Sequence, residues 1–379
     1  MAASPGPSLL EHFAGLADPR MERTKLHPLL SIVAIAICAV IAGAESWDDI
    51  ELFGKTKADW FGSFLALPHG IPSHDTFNRV FAALDPDHFR AGFASWIAAI
   101  TTILPAQGIA LDGKTVRRSH DRHAGKAAIH MVSAWATTNR LVLAQVKVDE
   151  KSNEITALPI LLRQLALTGC IVTIDAMGCQ RGIAQQIVDQ GADYILALQG
   201  NQGTLAAEVA ESFTAAERAN WAEVVHDQAQ TIDKGHGRIE VRQHWVLTDP
   251  PTVAWVQAKH AWPGLTALGM IEAARRVGEK RSTETRYYLL SRSLTAQAFG
   301  EAVRNHWGIE NRVHWLLDVV FREDDSRIRA GHAAENVAVL RHIALNLLRH
   351  QEAPRLSLKA KRLRAGWDTD FLLQVLHGN

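Results

Sequence analysis

The spacing of apolar positions predicts that the chain begins with helices, up to about residue 104. Residues 29–44 (LLSIVAIAICAVIAGA) are apolar at almost every position, and these sixteen residues are fewer than the roughly 20 that a helix needs to cross a bilayer. We therefore expect a buried helix there. Shorter amphipathic helices are predicted for residues 47–64, 73–84 and 87–104. Their predicted N-caps are Ser73 and Asp87, and prolines mark the breaks, at Pro68, Pro72, Pro86 and Pro105.

The period changes at about residue 108. The segments GIALDGKTVR and HMVSAWATTNRLVLAQVKVD predict three extended segments, with turns at Asp112-Gly113 and near Thr138-Asn139. Helices and strands then alternate, with helices predicted at 155–167, 182–191 and 201–213 and buried strands at 170–177 and 193–198. This order predicts an α/β layer built on a mixed sheet.

Alternation of polar and apolar residues returns between residues 221 and 292, which predicts a strand-rich insertion. A long helix is then predicted from about 295 to 321, with Thr295 as N-cap, and another from about 333 to 350. We divide the chain into a helical N-terminal domain (1–104, a candidate DNA-binding module), a first core segment (105–220), the insertion (221–292), the last core helices (293–350) and a basic C-terminal tail (351–379).

Composition places the chain among globular proteins. It has 379 residues, of which 47% are hydrophobic and 21% charged, and this excludes disordered, collagen-like and coiled-coil classes. Three cysteines, Cys38, Cys170 and Cys179, are too few for a disulfide framework and favour a reducing compartment. The N-terminus lacks a secretory signal, so we expect a cytoplasmic protein without a membrane partner.

The 40 basic and 40 acidic residues cancel, so any nucleic-acid binding must come from segregated charge. Two basic clusters are visible, and each is either a solvated face or a DNA contact. One lies between residues 112 and 126 and contains Lys114, Arg117, Arg118, His120, Arg122, His123 and Lys126. The other lies near the C-terminus and contains Arg341, Arg349, Arg355, Lys359, Lys361, Arg362 and Arg364.

Two aspartates each follow an apolar run that is typical of a buried strand. Asp112 follows Ile-Ala-Leu and Asp175 follows Ile-Val-Thr-Ile. Either could be an ordinary turn residue. If the two strands are adjacent, however, both carboxylates lie together at the edge where ligands bind to α/β sheets, and they repel unless a cation lies between them. Hard oxygen ligands favour Mg²⁺ or Mn²⁺, and two such ions suit phosphoryl transfer.

A third carboxylate is available in the long late helix. Glu310 has His306 four residues before it and His314 four residues after it, with Trp307 and Trp315 alongside. The group is a third metal-ligand position, a buried polar network or a zinc site, although zinc would lack a fourth ligand. Rivals for the third acid follow Glu310 in the chain, namely Asp318, Glu323, Asp324 and Asp325.

Four strings carry a resemblance to a known family: LDGKTVRRS, TIDAMGCQ, LALQGNQ and the run RNHWGIENRVHWLLDVVFREDDSRIRAGHAAENVAVLRHIALNLL. They resemble the ISAs1 family of bacterial insertion-sequence transposases, also called H-repeat-associated proteins, within the wider IS4 group. The resemblance implies an RNase H-like DDE core with a β-rich insertion, preceded by an all-helical domain. It implies Asp112, Asp175 and Glu310 as the three acids that hold two Mg²⁺ ions.

The implied activity is metal-dependent cleavage of double-stranded DNA at terminal inverted repeats, followed by strand transfer, in a homo-oligomer that pairs two DNA ends. By their chemistry, Lys114, Arg117 and Arg118 are candidate phosphate contacts. Candidate contacts to DNA near the cut are Asn201, His306, Trp307 and Asn311.

Two departures from related sequences keep alternatives open. The Tyr, Arg and Lys that many IS4-group proteins place around the glutamate are replaced here by Val303, His306 and Leu317, and Gln199 replaces a common lysine. The alternatives are a DNA-binding relic that no longer cuts and a host-adopted RNase H-like nuclease.

Overall fold

The computed structural model describes residues 9–101, 106–120, 125–148, 152–222, 224–235, 237–353 and 355–377. The predicted boundary at 104–105, Pro105 itself, Arg122 and His123 lie outside these ranges. The strands of the described part are β1 (Gly108–Thr115), β2 (His130–Ala136), β3 (Leu141–Val148), β4 (Ile171–Ile174), β5 (Asp193–Leu198), β6 (His226–Gly235), β7 (Arg238–Leu247), β8 (Ala267–Val277) and β9 (Lys280–Leu290).

The α-helices of the described part fall before, between and after these strands. The five before β1 are α1 (Leu29–Ala42), α2 (Trp47–Thr56), α3 (Ala58–Gly62), α4 (His74–Ala83) and α5 (Pro86–Ile100). The next four are α6 (Glu154–Arg163), α7 (Arg181–Asp189), α8 (Gly203–Arg218) and α9 (Pro250–His260). The last five are α10 (Ala296–His306), α11 (Trp315–Val319), α12 (Ala333–His350), α13 (Leu358–Trp367) and α14 (Thr369–His377).

The described strands form one nine-stranded mixed sheet in the order β3-β2-β1-β4-β5-β9-β8-β7-β6. Strands β1, β4 and β5 are parallel, while β2 and β3 continue the sheet antiparallel on one side. The α/β prediction with a mixed sheet is confirmed. The four strands of the insertion are not a separate layer, because β9 pairs with β5 and extends the core sheet. The insertion also contains a helix, α9, which the sequence analysis missed.

Helices from both ends of the chain share one core. Helix α1 is buried along its whole middle, as predicted, and it packs against α2, α12 and α13. Helix α12 is buried from Ala333 to Leu348 and also contacts α4 and α5. Among the described residues no single helix is long and apolar enough to cross a membrane, and only the pair α1 and α2, bent by 98°, passes the length and composition test together.

Helix starts follow side-chain capping. The Oγ atoms of Ser73 and Thr295 accept hydrogen bonds from the backbone N–H of Thr76 and Ala298, so these two predicted N-caps are confirmed. Asp87 is not an N-cap. The cap is Asp85, whose carboxylate accepts from the N–H groups of Asp87 and His88, because Pro86 has no N–H and occupies the first helical position.

Two predictions around the candidate acids were wrong. No turn occurs at Asp112-Gly113, because β1 continues to Thr115 with Asp112 paired to Ser133 in mid-strand. The turn near Thr138-Asn139 is present. The long helix predicted for 295–321 is interrupted after α10, and a π-helical turn, Glu310–His314, precedes α11. This wider turn breaks the regular helical spacing on which the predicted stripe through His306, Glu310 and His314 rests.

Two basic side chains of the C-terminal segment are buried, while Arg355, Lys359 and Arg364 are exposed. Arg362 is buried, donates to the carbonyl oxygens of Val320 and Val40, and lies 4.2 Å from the ring centroid of Phe321. Lys361 donates to the carbonyl oxygens of Leu348 and Gln351 at the end of α12. These basic side chains satisfy carbonyl groups at helix ends instead of forming a solvated surface.

Candidate active site

Neighbouring strands bring Asp112 and Asp175 together. Strands β1 and β4 are parallel, and their register pairs Leu111 with Ile174. The next residue on each strand is the aspartate. Asp112 lies within β1, and Asp175 follows the end of β4, where its Oδ1 accepts hydrogen bonds from the N–H groups of Met177 and Gly178. The sequence prediction that both carboxylates share one edge of the sheet agrees with this register.

Glu310 reaches the same place from the last core helices. Helix α10 packs against β1 and β4, and at its end His306 Nδ1 lies 3.0 Å from Thr173 Oγ1. The chain then passes Trp307 and enters the π-helical turn at Glu310. Asp112, Asp175 and Glu310 line one cavity of about 180 Å³.

Burial and the charges of Glu310, Asp175 and Glu154 together raise the pKa of Asp112 to about 7, although the hydrogen bond from the Gly113 backbone N–H opposes them. Burial also raises the pKa of Asp175, and the charge of Glu154 adds to this effect. The carboxylates therefore crowd one another without compensation. A bound cation would relieve this repulsion.

The two histidines do not supply that positive charge. His314 Nδ1 lies 3.4 Å from Asp112 Oδ2, but burial lowers the pKa of His314 to about 4. Burial likewise lowers the pKa of His306 to about 4. Both imidazoles are neutral near pH 7, so within the described residues no basic side chain forms an ion pair with Asp112.

Several residues around the cavity were not found from the sequence. Glu154, at the start of α6, adds a fourth carboxylate nearby, and its Oε1 lies 2.6 Å from His130 Nε2. The insertion contributes the end of β9, so that Arg286, Tyr287 and Tyr288 line the cavity. Gln199 after β5, which the sequence analysis did name, lines it as well. The only sequence signal for the β9 residues was the alternation in TRYYLLSR, which does not reveal that β9 pairs with β5.

Lys114 does not line the cavity. Its Nζ lies 2.7 Å from Asp318 Oδ1, 2.8 Å from Glu323 Oε2 and 3.3 Å from Asp324 Oδ1, and only 10% of its side chain is exposed. We call these four residues the lysine cluster. Three of the rival third acids thus have a structural partner, and they are absent from the lining of the cavity, which favours Glu310. The cluster thus engages the ammonium group that the sequence analysis predicted as a DNA contact.

The other predicted DNA contacts have different surroundings. Arg117 is 80% exposed with Nε 3.2 Å from Asp324 Oδ2, and Arg118 Nη1 lies 3.6 Å from Asp325 Oδ1, so both face the acidic segment after α11. Asn201 donates from Nδ2 to the carbonyl oxygen of Ala176, beside Asp175.

Trp307 lies at the exposed rim of the cavity, and Asn311 lies next to Trp307 outside the cavity lining. Trp307 lines the cavity and carries the guanidinium of Arg286 at 4.8 Å from its ring centroid. Asn311 is exposed and donates from Nδ2 to the carbonyl oxygen of Trp307. The rim is thus built from the residues between α10 and the π-helical turn, together with the end of β9.

The donor set fits a hard divalent cation in its chemistry. Three carboxylates from separate parts of the chain surround one cavity, and two of them have raised pKa values. As they stand, no three His, Cys, Asp or Glu side chains in the described ranges are placed to hold a metal ion together. The carboxylates surround the cavity without meeting at one point.

A parallel β1, β4 and β5, flanked by antiparallel β2 and β3 and carrying carboxylates around one cavity, defines an RNase H-like core of the DDE class. The family described as "Transposase DDE domain" matches residues 103–347, and "DDE_Tnp_1-associated" matches residues 10–97. The chain belongs to the DDE transposase domain family. This membership implies a dependence on divalent metal in general.

Full-length relatives agree with this assignment. The chain is 41% identical over 375 residues to the H repeat-associated protein YhhI of Escherichia coli (strain K12), covering 98% of both. It is 40% identical to YncI of Escherichia coli O157:H7, covering 97% of this chain and 94% of that one. Both are named as transposases whose activity is not established. The H-repeat resemblance is confirmed, while the narrower ISAs1 assignment stays a prediction.

Among solved structures, the cryo-EM structure of piggyBac transposase in a synaptic complex with hairpin DNA aligns with 96% of this chain and 76% of that chain. The aligned residues are 11% identical and the TM-score is 0.42. An alignment this weak supports no argument about the site.

Proposed function

We propose that this transposase cuts double-stranded DNA at the inverted repeats of its own element and joins the freed ends to target DNA, with Asp112, Asp175 and Glu310 holding Mg²⁺ or Mn²⁺, two ions in all. The observation that carries the proposal is the convergence of these three carboxylates on one cavity, where none of the three forms an ion pair with a lysine or arginine of the described residues. Its place of action is the bacterial DNA in the cytoplasm.

The reaction has two displacements at phosphorus. A water oxygen forms a bond to the scissile phosphorus while the bond to the 3′ oxygen breaks, and this oxygen takes up a proton to become a hydroxyl. The oxygen of that hydroxyl then attacks a phosphorus of the target DNA. One new P–O bond forms there as one P–O bond of the target strand breaks. When bound, two divalent ions would activate the attacking oxygen and neutralise the leaving one.

The chain's own contribution is positioning. Asp112 and Asp175 are fixed by two paired strands, so their spacing changes little, while Glu310 is exposed at the rim beside Trp307. His306, held by Thr173 and uncharged near pH 7, packs beneath the cavity without adding positive charge. Such a rigid frame supplies much of the rate gain in phosphoryl transfer, because the reacting groups are already oriented.

We expect Asp112→Asn, Asp175→Asn and Glu310→Gln each to reduce Mg²⁺-dependent nicking of a repeat-end duplex to background, since each removes one anionic ligand and keeps the side-chain shape. Asp318→Asn, in the lysine cluster, is the control and should keep nicking as long as the protein folds. The proposal is overturned if an Asp112→Ala, Asp175→Ala double variant nicks DNA as well as the parent does.

The alternatives are not favoured. A relic that binds DNA ends without cutting them would not need three acids around one cavity. Robust strand transfer by purified protein would exclude it. A host-adopted nuclease would lack flanking inverted repeats bordered by a target duplication, so the DNA next to the coding frame separates these cases. A homo-oligomer on DNA follows from the need to pair two ends, and it is tested by sedimentation of the DNA complex.

A further inference from the structure

A second depression of about 630 Å³ lies beside the acid cavity. We call it the arginine groove and define it by the six arginines that line it, Arg238, Arg242, Arg275, Arg286, Arg304 and Arg312. Its floor is formed by β7, β8 and β9 of the insertion, and α10 lies along it. Trp135 and Thr137, at the end of β2, close the side toward the core.

The arginines of the floor share one face because of strand register. Side chains two apart on a strand point the same way, so RIEVRQH directs Arg238, Glu240 and Arg242 together. The register pairs Arg275 on β8 with Glu240 on β7 and with Ser282 on β9. The same alternation therefore continues across three strands and forms a continuous charged surface.

The groove keeps an excess of positive charge. Arg242 Nη1 lies 2.8 Å from Asp233 Oδ2, and Arg304 also pairs with Asp233. Glu240 pairs with Arg238 and Arg242, and Glu284 pairs with Arg286.

Three carboxylates thus face six arginines. Arg275 and Arg312 have no carboxylate partner in the described part of the chain, and both are exposed. Guanidinium groups present donors in a planar fork that matches phosphate oxygens.

The groove and the acid cavity are continuous. Arg286, Tyr288, Val303 and Trp307 line both. From Arg286 to Ser282 along β9 is about 14 Å at about 3.4 Å per residue, which matches about four base-pair steps along the axis of a DNA duplex. A strand with its scissile phosphate at the carboxylates has neighbouring phosphates within reach of the groove.

The sequence placed the phosphate contacts elsewhere, at Lys114, Arg117 and Arg118. In the structure these residues are paired with the acidic segment Asp318 to Asp325. We propose that the arginine groove, and not the segment after β1, binds the phosphate backbone of the DNA that flanks the scissile bond. This inference rests on the proposed function, because it takes DNA as the occupant of the acid cavity.

The test is the salt dependence of DNA binding by the full chain, measured in EDTA with a short duplex of arbitrary sequence. Each lost phosphate contact lowers the slope of log K against log salt by about 0.9. An Arg275→Ala, Arg312→Ala variant should therefore lower the slope by about 2. Both side chains are exposed, so the melting temperature should stay unchanged.

The matched control is Arg117→Ala, Arg118→Ala, which removes the same charge from the other segment and should change the slope less. Equal slopes for the two double variants, or an unchanged slope for the groove variant, overturns the inference. Because EDTA prevents cleavage, the result does not depend on catalysis. If metal-dependent nicking is absent but the slopes differ as expected, the proposed function fails and the binding surface stands.

Discussion

Two groups of carboxylates lie near positions of β1 that are two residues apart, Asp112 and Lys114. Their charges are balanced in opposite ways. At Asp112 the acids face one another around a cavity, and the pKa of Asp112 rises to about 7 through burial and through the charges of Glu310 and Asp175. At Lys114 the acids of the lysine cluster surround an ammonium group. Since residues two apart point to one face, both groups lie under the chain that runs from Glu310 to Asp325.

The electrostatic balance differs accordingly. Burial alone would raise the pKa of Glu323, but the charges of Lys114 and Arg341 hold that pKa below its usual value. Asp318, nearer the solvent, keeps a raised pKa because burial outweighs its hydrogen bond from Lys114. The comparison teaches that acid count alone does not identify a metal site. The informative group is the one whose charge is left uncompensated.

The largest effect on stability is expected for Lys114→Met. It removes the cation from the lysine cluster and leaves Glu323, 2% exposed, with Arg341 at 3.6 Å as its remaining ion-pair partner among the described residues, so the free energy of unfolding should fall by about 3–5 kcal/mol. Chemical denaturation of the purified variant measures it.

Arg117→Met is the matched control, since Arg117 pairs with Asp324 but is 80% exposed and should cost less than about 1 kcal/mol. A similar loss for both variants would show that the buried ammonium is no more important than a surface one. In that case the contrast between the two carboxylate groups would disappear.

A second, somewhat smaller effect is expected from Asp112→Asn in metal-free protein. The pKa of Asp112 is near 7 in the folded state and 3.8 as a free group, so below about pH 4 the carboxyl is protonated in both states and costs nothing. As the pH rises toward 7 the unfolded state loses the proton first, and folding is disfavoured by up to about 4 kcal/mol at 1.36 kcal/mol per pKa unit.

The variant should therefore be more stable than the parent at pH 8 and differ little at pH 4.5, by urea denaturation in EDTA. Asp189→Asn, at an exposed position of α7, is the control and should show no such pH dependence. Added Mg²⁺ should reduce the difference. A constant difference at both pH values would contradict the crowded state of the carboxylates.

Much of the fold followed from local patterns. The buried helix α1, the capped starts at Ser73 and Thr295, strand β5 and helix α12 all rest on periodicity and capping, which act within a few residues. The prediction of a turn at Asp112-Gly113 was wrong because it also rested on local sequence alone. Asp-Gly is a good turn dipeptide, but pairing with β2 and β4 on both sides extends the strand, and such pairing is not visible locally.

Only part of the candidate site could be predicted from the sequence, namely the residues whose positions follow from the order of strands and helices. Two aspartates after buried strands, and an acid in the late helix, were enough to nominate Asp112, Asp175 and Glu310. Lys114 was predicted as a phosphate contact because a lysine two residues from an acidic site has the composition of one, and the sequence did not indicate its carboxylate partners. Its partners lie more than 200 residues away in the chain, and only tertiary packing brings them together.

The smallest effect is expected on the opposite face of β1, at Gly113. A Cβ atom there would lie 2.5 Å from His130 Nε2 and closer still to the carboxylate of Glu154. Both atoms end side chains that can move, so Gly113→Ala should cost about 1–2 kcal/mol, mainly the lost hydrogen bond between His130 and Glu154. Thermal denaturation measures this loss.

Gly182→Ala in α7 meets nothing within 4 Å and should stabilise slightly, by up to about 1 kcal/mol, because alanine favours a helix. The comparison of the two variants decides how Glu154 is held. If Gly113→Ala is as harmless as Gly182→Ala, the pair with His130 does not fix Glu154. Its charge could then move away from Asp112 and Asp175, and the crowding at Asp112 would depend on the charges of Glu310 and Asp175.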